Sequence, residues 1–184
     1  MVERILMAGS GGQGIILMGK MLATVAVNSI EHVTFFPSYG AEVRGGTANC
    51  QVVLSTEEIP SPVCEQFESM IVMNQESAKR FEPQMTESCL VIFNRSLCAP
   101  PPVPCQAVGV DASEMAVRAG DGRAANFIML GAFLSKKRLV PADAVEKEIK
   151  RTFSMKNAAL AKLNLEAFRL GLREASPPVN SKGS

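Results

Sequence analysis

The chain has 184 residues, 47% of them hydrophobic and 20% charged, with a formal net charge of +1 at pH 7. That length suits one domain with a sizeable core, and the near-neutral balance excludes an electrostatic drive toward nucleic acid or a membrane surface. One Tyr and no Trp leave no base-stacking platform, and no apolar run reaches the roughly 18 residues of a membrane span.

Val2–Ala8 is apolar, short and ended by glycine, which predicts a buried first strand. A helix is predicted over Gly14–Ser29, with Ile15, Leu17, Met18, Met21, Leu22, Val25 and Ala26 available for its buried face. His32–Phe36 is the second predicted strand, and Pro37–Gly46 a loop rich in turn residues. Thr47–Ser55 alternates in part, through Ala48, Cys50, Val52 and Leu54, as an antiparallel strand does. Glu57–Cys64 carries two prolines and is a connection. Ser69–Met73 reads as another buried strand, after which Asn74 or Ser77 caps a short helix to Phe81 that Pro83 stops.

Cys89–Phe93 and Cys105–Val110 are further strands. Between them, Ala99–Pro104 carries four prolines in six residues and is extended and stiff. Asp111–Arg118 starts with an Asp cap and ends near Gly120-Asp121-Gly122. The last third is helical. Ala124–Lys136 has a stripe through Phe127, Ile128, Leu130, Gly131 and Leu134, and Pro141–Lys150 begins with a proline. Met155–Arg173 repeats Ala159, Leu160, Leu163, Ala167 and Leu170 at helical spacing. Ser176–Ser184 reads as disordered. The expected organisation is a single domain over 1–173 with a disordered tail, 174–184. The expected class is α/β: three-layer, with a Rossmann-like, mostly parallel sheet, flanking helices and a helical C-terminal third. The N-terminus reads directly as a strand, without a basic leader, so a cytoplasmic location is expected.

Gly9-Ser10-Gly11-Gly12-Gln13-Gly14 joins the first strand to the first helix. Strand, glycine turn and helix in that order make a phosphate cradle, because glycine admits close approach and the helix start offers free N–H groups at a positive dipole end. A tight turn that binds nothing has the same pattern. Dinucleotide binding also calls for an acid after the second strand. Glu31 precedes that strand instead, which disfavours NAD and leaves another pyrophosphate ligand open. Lys20, six residues past Gly14, points elsewhere on the helix.

Ser38–Thr47 follows a strand end and holds Tyr39, Glu42, Arg44, Gly45 and Gly46. Arg44 can clamp a phosphate or carboxylate, and the glycines admit a ligand or another backbone. The alternative is a surface turn in which Arg44 pairs with Glu42. The five cysteines, Cys50, Cys64, Cys89, Cys98 and Cys105, contain no close pair of metal-site spacing, so they read as reduced, mostly buried thiols. His32 reads as structural. No nucleophile–base pair or paired carboxylates suggest independent chemistry.

Four segments together carry a resemblance. They are Ala8–Gly14, Pro37–Thr47, Met73-Asn74-Gln75-Glu76 and the helix through Ala125-Asn126-Phe127-Ile128-Met129-Leu130-Gly131-Ala132. In this order they resemble the gamma subunit of 2-oxoacid:ferredoxin oxidoreductases, over roughly residues 1 to 173. The resemblance implies a non-autonomous subunit of an enzyme that oxidatively decarboxylates a 2-oxoacid to an acyl-coenzyme A and passes electrons to ferredoxin. It implies thiamine diphosphate and iron–sulfur clusters on partner alpha, beta and ferredoxin-like delta subunits. By position, Gly9, Ser10, Gly11, Gly12, Gln13 and Gly14 would face the coenzyme A pyrophosphate. The loop with Tyr39, Arg44, Gly45 and Gly46 would lie toward the active site or a subunit interface. The favoured substrate is 2-oxoglutarate or a branched-chain 2-oxoacid. The competing readings are a stand-alone dinucleotide-binding module and a structural scaffold.

Overall fold

A computed structural model describes residues 1–38, 47–154, 157–174 and 179–180. Its strands are β1 (Val2–Ser10), β2 (His32–Ser38), β3 (Thr47–Ser55), β4 (Ser69–Val72), β5 (Leu90–Asn94), β6 (Gln106–Val110) and β7 (Val179–Asn180). They form one sheet in the order β2-β3-β1-β4-β5-β6-β7. The β1–β4, β4–β5 and β5–β6 pairings are parallel. β3 is antiparallel to both β1 and β2, and β7 to β6. Five strands therefore run one way, and only β3 and β7 oppose them.

β1 is apolar at consecutive positions because both its faces are buried. Ile5 and Met7 join one core cluster, Leu6 and Ala8 the other. The first face carries α1 (Ile15–Ala26), α3 (Ala112–Ala119), α4 (Ala125–Lys136), α5 (Ala142–Ser154) and α6 (Ala158–Glu174). Among the described residues, the second face is covered by α2 (Gln75–Phe81), a 3-10 turn at Glu82–Gln84 and irregular segments, with Phe67, Met85, Cys98, Val103 and Cys105 contributed from outside α2. The three layers are thus unequal.

α4 is buried from Ala125 to Leu134 without a gap, since it lies between the sheet and α6. Its Gly131 meets α6 so closely that a Cβ there would strike the Phe168 carbonyl oxygen. A Cβ on Gly171 would strike that of Ile128. The α6 face differs from the predicted stripe. Ala161, Asn164, Leu165, Ala167, Phe168 and Gly171 are buried, whereas Ala159 is exposed and Leu160, Leu163 and Leu170 are half-buried. Gly171 permits the close approach to α4, and Leu165 and Phe168 fill the buried face beside it.

The N-terminus of α3 also departs from expectation. Asp111 makes no side-chain cap bond. Its carboxylate instead accepts two bonds from Arg95, Nε to Oδ1 at 2.8 Å and Nη2 to Oδ2 at 2.5 Å, which hold it below the usual carboxylate range. Asn74 does cap α2, its Oδ1 accepting from the Ser77 N–H at 2.8 Å. In the predicted tail, Val179 and Asn180 pair with Ala107 and Gln106 as a strand; the other residues after Glu174 lie outside the described residues.

At the amino ends of the strands, the Glu3 carboxylate is buried. It accepts from Ser69 Oγ at 2.5 Å and from Lys137 Nζ at 3.0 Å, joining the end of α4 to β1. Lys137→Met leaves that carboxylate, among the described residues, with Ser69 as its one side-chain donor. We expect a loss of about 2 kcal/mol, below the range for a fully buried pair because Lys137 is partly exposed. A denaturant midpoint equal to that of the parent chain would contradict it.

Candidate functional site

The glycine turn lies at the carboxyl end of β1. The first crossover, through α1, leads toward β2 on one side, and β4 continues the sheet on the other. This is the topological switch point, where an open α/β sheet leaves a crevice. β3 lies between β1 and β2, so the end of β2 is one strand spacing, about 4.8 Å, further from the turn than in a dinucleotide fold. That arrangement weakens the NAD reading beyond the misplaced Glu31.

Within the turn, residues divide into braces and open positions. Gly9 is buried. A Cβ there would come within 2.7 Å of Gln13 Oε1 and 2.9 Å of Met73 Cβ, so Gly9 lets the turn pack on the β4 end. The Ser10 N–H donates to Gln13 Oε1 at 2.7 Å, and the Gln13 N–H returns to the Ser10 carbonyl at 3.1 Å. Asn74 Nδ2 donates to Ser10 Oγ at 2.5 Å and to Gln13 Oε1 at 3.2 Å. Gly14 has a φ of 74° and forms the N-cap of α1 without any side-chain cap. Only glycine takes that conformation at little cost, and Asn126, buried in the first turn of α4, donates from Nδ2 to its carbonyl at 3.3 Å.

Gly11 and Gly12 are exposed. Gly12 has a φ of 90°, with nothing within 4 Å of where its Cβ would stand. Among the described residues, no group accepts from the N–H groups of Gly11, Gly12, Gly14 or Ile15. The turn is therefore a braced loop whose open N–H groups stand at the positive end of a helix, a geometry suited to an anion. It is unoccupied by any side chain of those residues.

The other predicted binding residues, Tyr39, Arg44, Gly45 and Gly46, lie outside the described residues. Besides Asn74, which the sequence marked only as a helix cap, three residues not placed at this site by sequence reasoning belong to it. Asn126 braces Gly14. Thr47 is the register partner of Ser10. Arg80 of α2 donates from Nη1 to Thr47 Oγ1. Asn126 and Thr47 stood in segments singled out beforehand, though neither was read as a binding residue; Arg80 stood in none and reaches the turn through Thr47, 33 positions away in the chain.

Elsewhere, burial pushes the Cys50, Cys89 and Cys98 thiols up to about 12, so they stay protonated and unreactive. Among the described residues no three His, Cys, Asp or Glu side chains converge as a metal site, and no helix is long and apolar enough to cross a membrane. A groove of about 820 Å³ between Ile30, Thr56, Leu134 and Leu139 lies at the opposite end of the sheet from the turn.

Comparison with known proteins gives this geometry a family. Residues 4–174 match the model of the pyruvate ferredoxin/flavodoxin oxidoreductase family. Ketoisovalerate oxidoreductase subunit VorA of Methanothermobacter thermautotrophicus is 32% identical over 97% of this chain, which spans 38% of that protein. The VorA of Methanothermobacter marburgensis is 34% identical, and the chain spans 35% of it. 2-Oxoglutarate synthase subunit KorC of Archaeoglobus fulgidus is 30% identical over 91% of this chain and 84% of its own.

Among solved structures, the keto/oxoacid ferredoxin oxidoreductase gamma subunit of Geobacter sulfurreducens superposes with a TM-score of 0.78 at 26% identity. The alignment covers 92% of this chain and 95% of that one. A 2-oxoglutarate:ferredoxin oxidoreductase of Magnetococcus marinus, solved with 2-oxoglutarate, coenzyme A and succinyl-CoA, reaches 0.84 over 98% of this chain and 34% of that one. At 23% identity that likeness is one of fold. The α/β architecture, the four motif segments and the matched residues lead to one assignment: the chain belongs to the pyruvate ferredoxin/flavodoxin oxidoreductase family.

Proposed function

We propose that this chain is the gamma component of a 2-oxoacid:ferredoxin oxidoreductase and that its glycine turn positions coenzyme A for acyl transfer. The observation that carries the reading is the turn at the β1/β4 switch point. Its N–H groups are open at the start of α1, while Asn74 and Asn126 hold its shape. Coenzyme A carries a pyrophosphate, and open N–H groups at a helix start suit it. Positioning, rather than proton transfer, is the contribution such a site makes.

Thiamine diphosphate and iron–sulfur clusters belong, in this reading, to partner alpha, beta and ferredoxin-like delta subunits, with ferredoxin as the electron acceptor of the assembly. Together they supply the decarboxylation and the electron path. A cytoplasmic location goes with that assembly. A 2-oxoglutarate or branched-chain substrate accords with relatives named as 2-oxoglutarate synthase and ketoisovalerate oxidoreductase subunits. The stand-alone dinucleotide module has less support, because β3 separates β2 from the turn and no acid ends β2 within the described residues.

The test is anaerobic purification of the tagged chain from its native cells, followed by viologen reduction with a panel of 2-oxoacids. We expect co-purifying subunits and reduction that requires both coenzyme A and either 2-oxoglutarate or a branched-chain 2-oxoacid. A chain that purifies alone and reduces nothing would overturn the reading. Coenzyme A-dependent activity with pyruvate only would overturn the substrate class.

A further inference from the structure

We propose that Arg80 of α2 is the cation that binds a phosphate of the acyl acceptor beside the glycine turn. This rests on the reading that the turn holds coenzyme A. The turn and its braces (Ser10, Gln13, Asn74 and Asn126) are all uncharged, so they stabilise an anion only through dipoles and neutral donors. A pyrophosphate bound there gains from a positive side chain within reach.

Register places that charge. Ser10 ends β1 and pairs with Thr47, which begins β3. Alternation along β1 sends Leu6, Ala8 and hence Ser10 toward the α2 face. Along β3 it sends Cys50 and Val52 to the opposite face, leaving Thr47 on the α2 side with Ser10. The helix spans the two. Asn74 at its N-cap donates to Ser10 Oγ, and Arg80 near its end donates to Thr47 Oγ1. One short helix thus fixes both a neutral clamp and a guanidinium against neighbouring strand ends.

The partner Arg80 has chosen is informative. Glu76 precedes it by four residues, the spacing at which a helical carboxylate and guanidinium pair. Among the described residues, the ion pairs of this chain do not include Arg80. Its side chain is exposed, and one N–H goes to a hydroxyl that carries no charge. The guanidinium lies 5.7 Å from the centre of the Phe81 ring, and among the described residues its other N–H groups have no acceptor, which leaves the edge of the planar fork to suit two phosphate oxygens.

The experiment is calorimetric titration of coenzyme A into the intact complex, without 2-oxoacid, at two ionic strengths. It compares the parent chain with R80Q, R80K and G12V. R80Q is expected to weaken binding about tenfold at low salt, the scale of one charge-assisted contact. It should also flatten the salt dependence, because the lost interaction is one that ions screen. R80K should keep the salt dependence with intermediate affinity. An R80Q affinity equal to that of the parent, or one weakened by the same factor at both ionic strengths, would overturn the proposal; the latter would mark Arg80 as a tether of Thr47 only. If G12V weakens coenzyme A and R80Q does not, Arg80 alone is misassigned. If G12V leaves the affinity unchanged, the turn reading itself fails.

Discussion

Replacing Gly171 with alanine should destabilise the fold by about 3 kcal/mol or more, and Gly171→Leu should leave little folded protein. The added Cβ would meet backbone, the carbonyl of Ile128 and the amide nitrogen of Ala132 at 2.9 Å. Backbone cannot step aside as the end of a side chain can. Relief requires α4 and α6 to separate, yet Gly131 lies at the same crossing against Phe168 and Leu172. Separation would also open the core around Phe127, Ile128 and Phe168, all buried. Gly122→Ala is the control. Its Cβ would stand 3.4 Å from Val117 Cγ2, an ordinary contact, and the change should stay within about 0.5 kcal/mol. Equal denaturant midpoints for the two alanine variants would show that the helices do not approach as described.

Gly12→Val should separate binding from stability. Nothing lies within 4 Å of the new Cβ, so no packing is lost. The cost is the left-handed backbone at a φ of 90°, about 1–2 kcal/mol for a side-chain-bearing residue. Subunit assembly should survive. Coenzyme A affinity should fall on the order of a hundredfold, the scale of losing two charge-assisted hydrogen bonds where the backbone can no longer be approached. Gly14 would be a poorer probe, since its Cβ would strike the Asn126 amide and confound the two effects. Assembly and affinity falling together in Gly12→Val would assign the turn to packing.

The β1–turn–α1 unit was legible because its signal is local. An apolar run gives way to glycines and then to helical spacing within a few residues. β3 was legible for the same reason: alternating residues at Cys50, Val52 and Leu54 mark a strand beside two others. The face of α6 was not. Asn164 and Gly171 line it, and neither scores as apolar, although a small residue is what a close helix crossing needs. Asp111 was read as a cap on local grounds. Arg95 lies 16 positions away in sequence and takes both carboxylate oxygens. The second face of the sheet is covered largely by segments without periodicity, which no period-based reading detects. At the candidate site the glycines announced themselves, whereas Thr47 and Arg80 join it only through the β1–β3 register and the position of α2.

The bracing of the turn has a consequence for recognition. Gln13 and Ser10 close it internally, and residues 74 and 126 secure it from two separate helices. Its shape is therefore settled when the chain folds, not when an anion arrives. Ordering a slack loop costs roughly 0.5–1.5 kcal/mol for each immobilised side chain, and a preorganised turn spares the ligand that entropy. For the proposed coenzyme A site, this predicts that complementarity governs selectivity more than plasticity does and that association is limited by diffusion into the crevice rather than by rearrangement. The same architecture couples affinity to the integrity of α2 and α4, so a lesion in either helix far from the ligand would reach the binding constant through the turn.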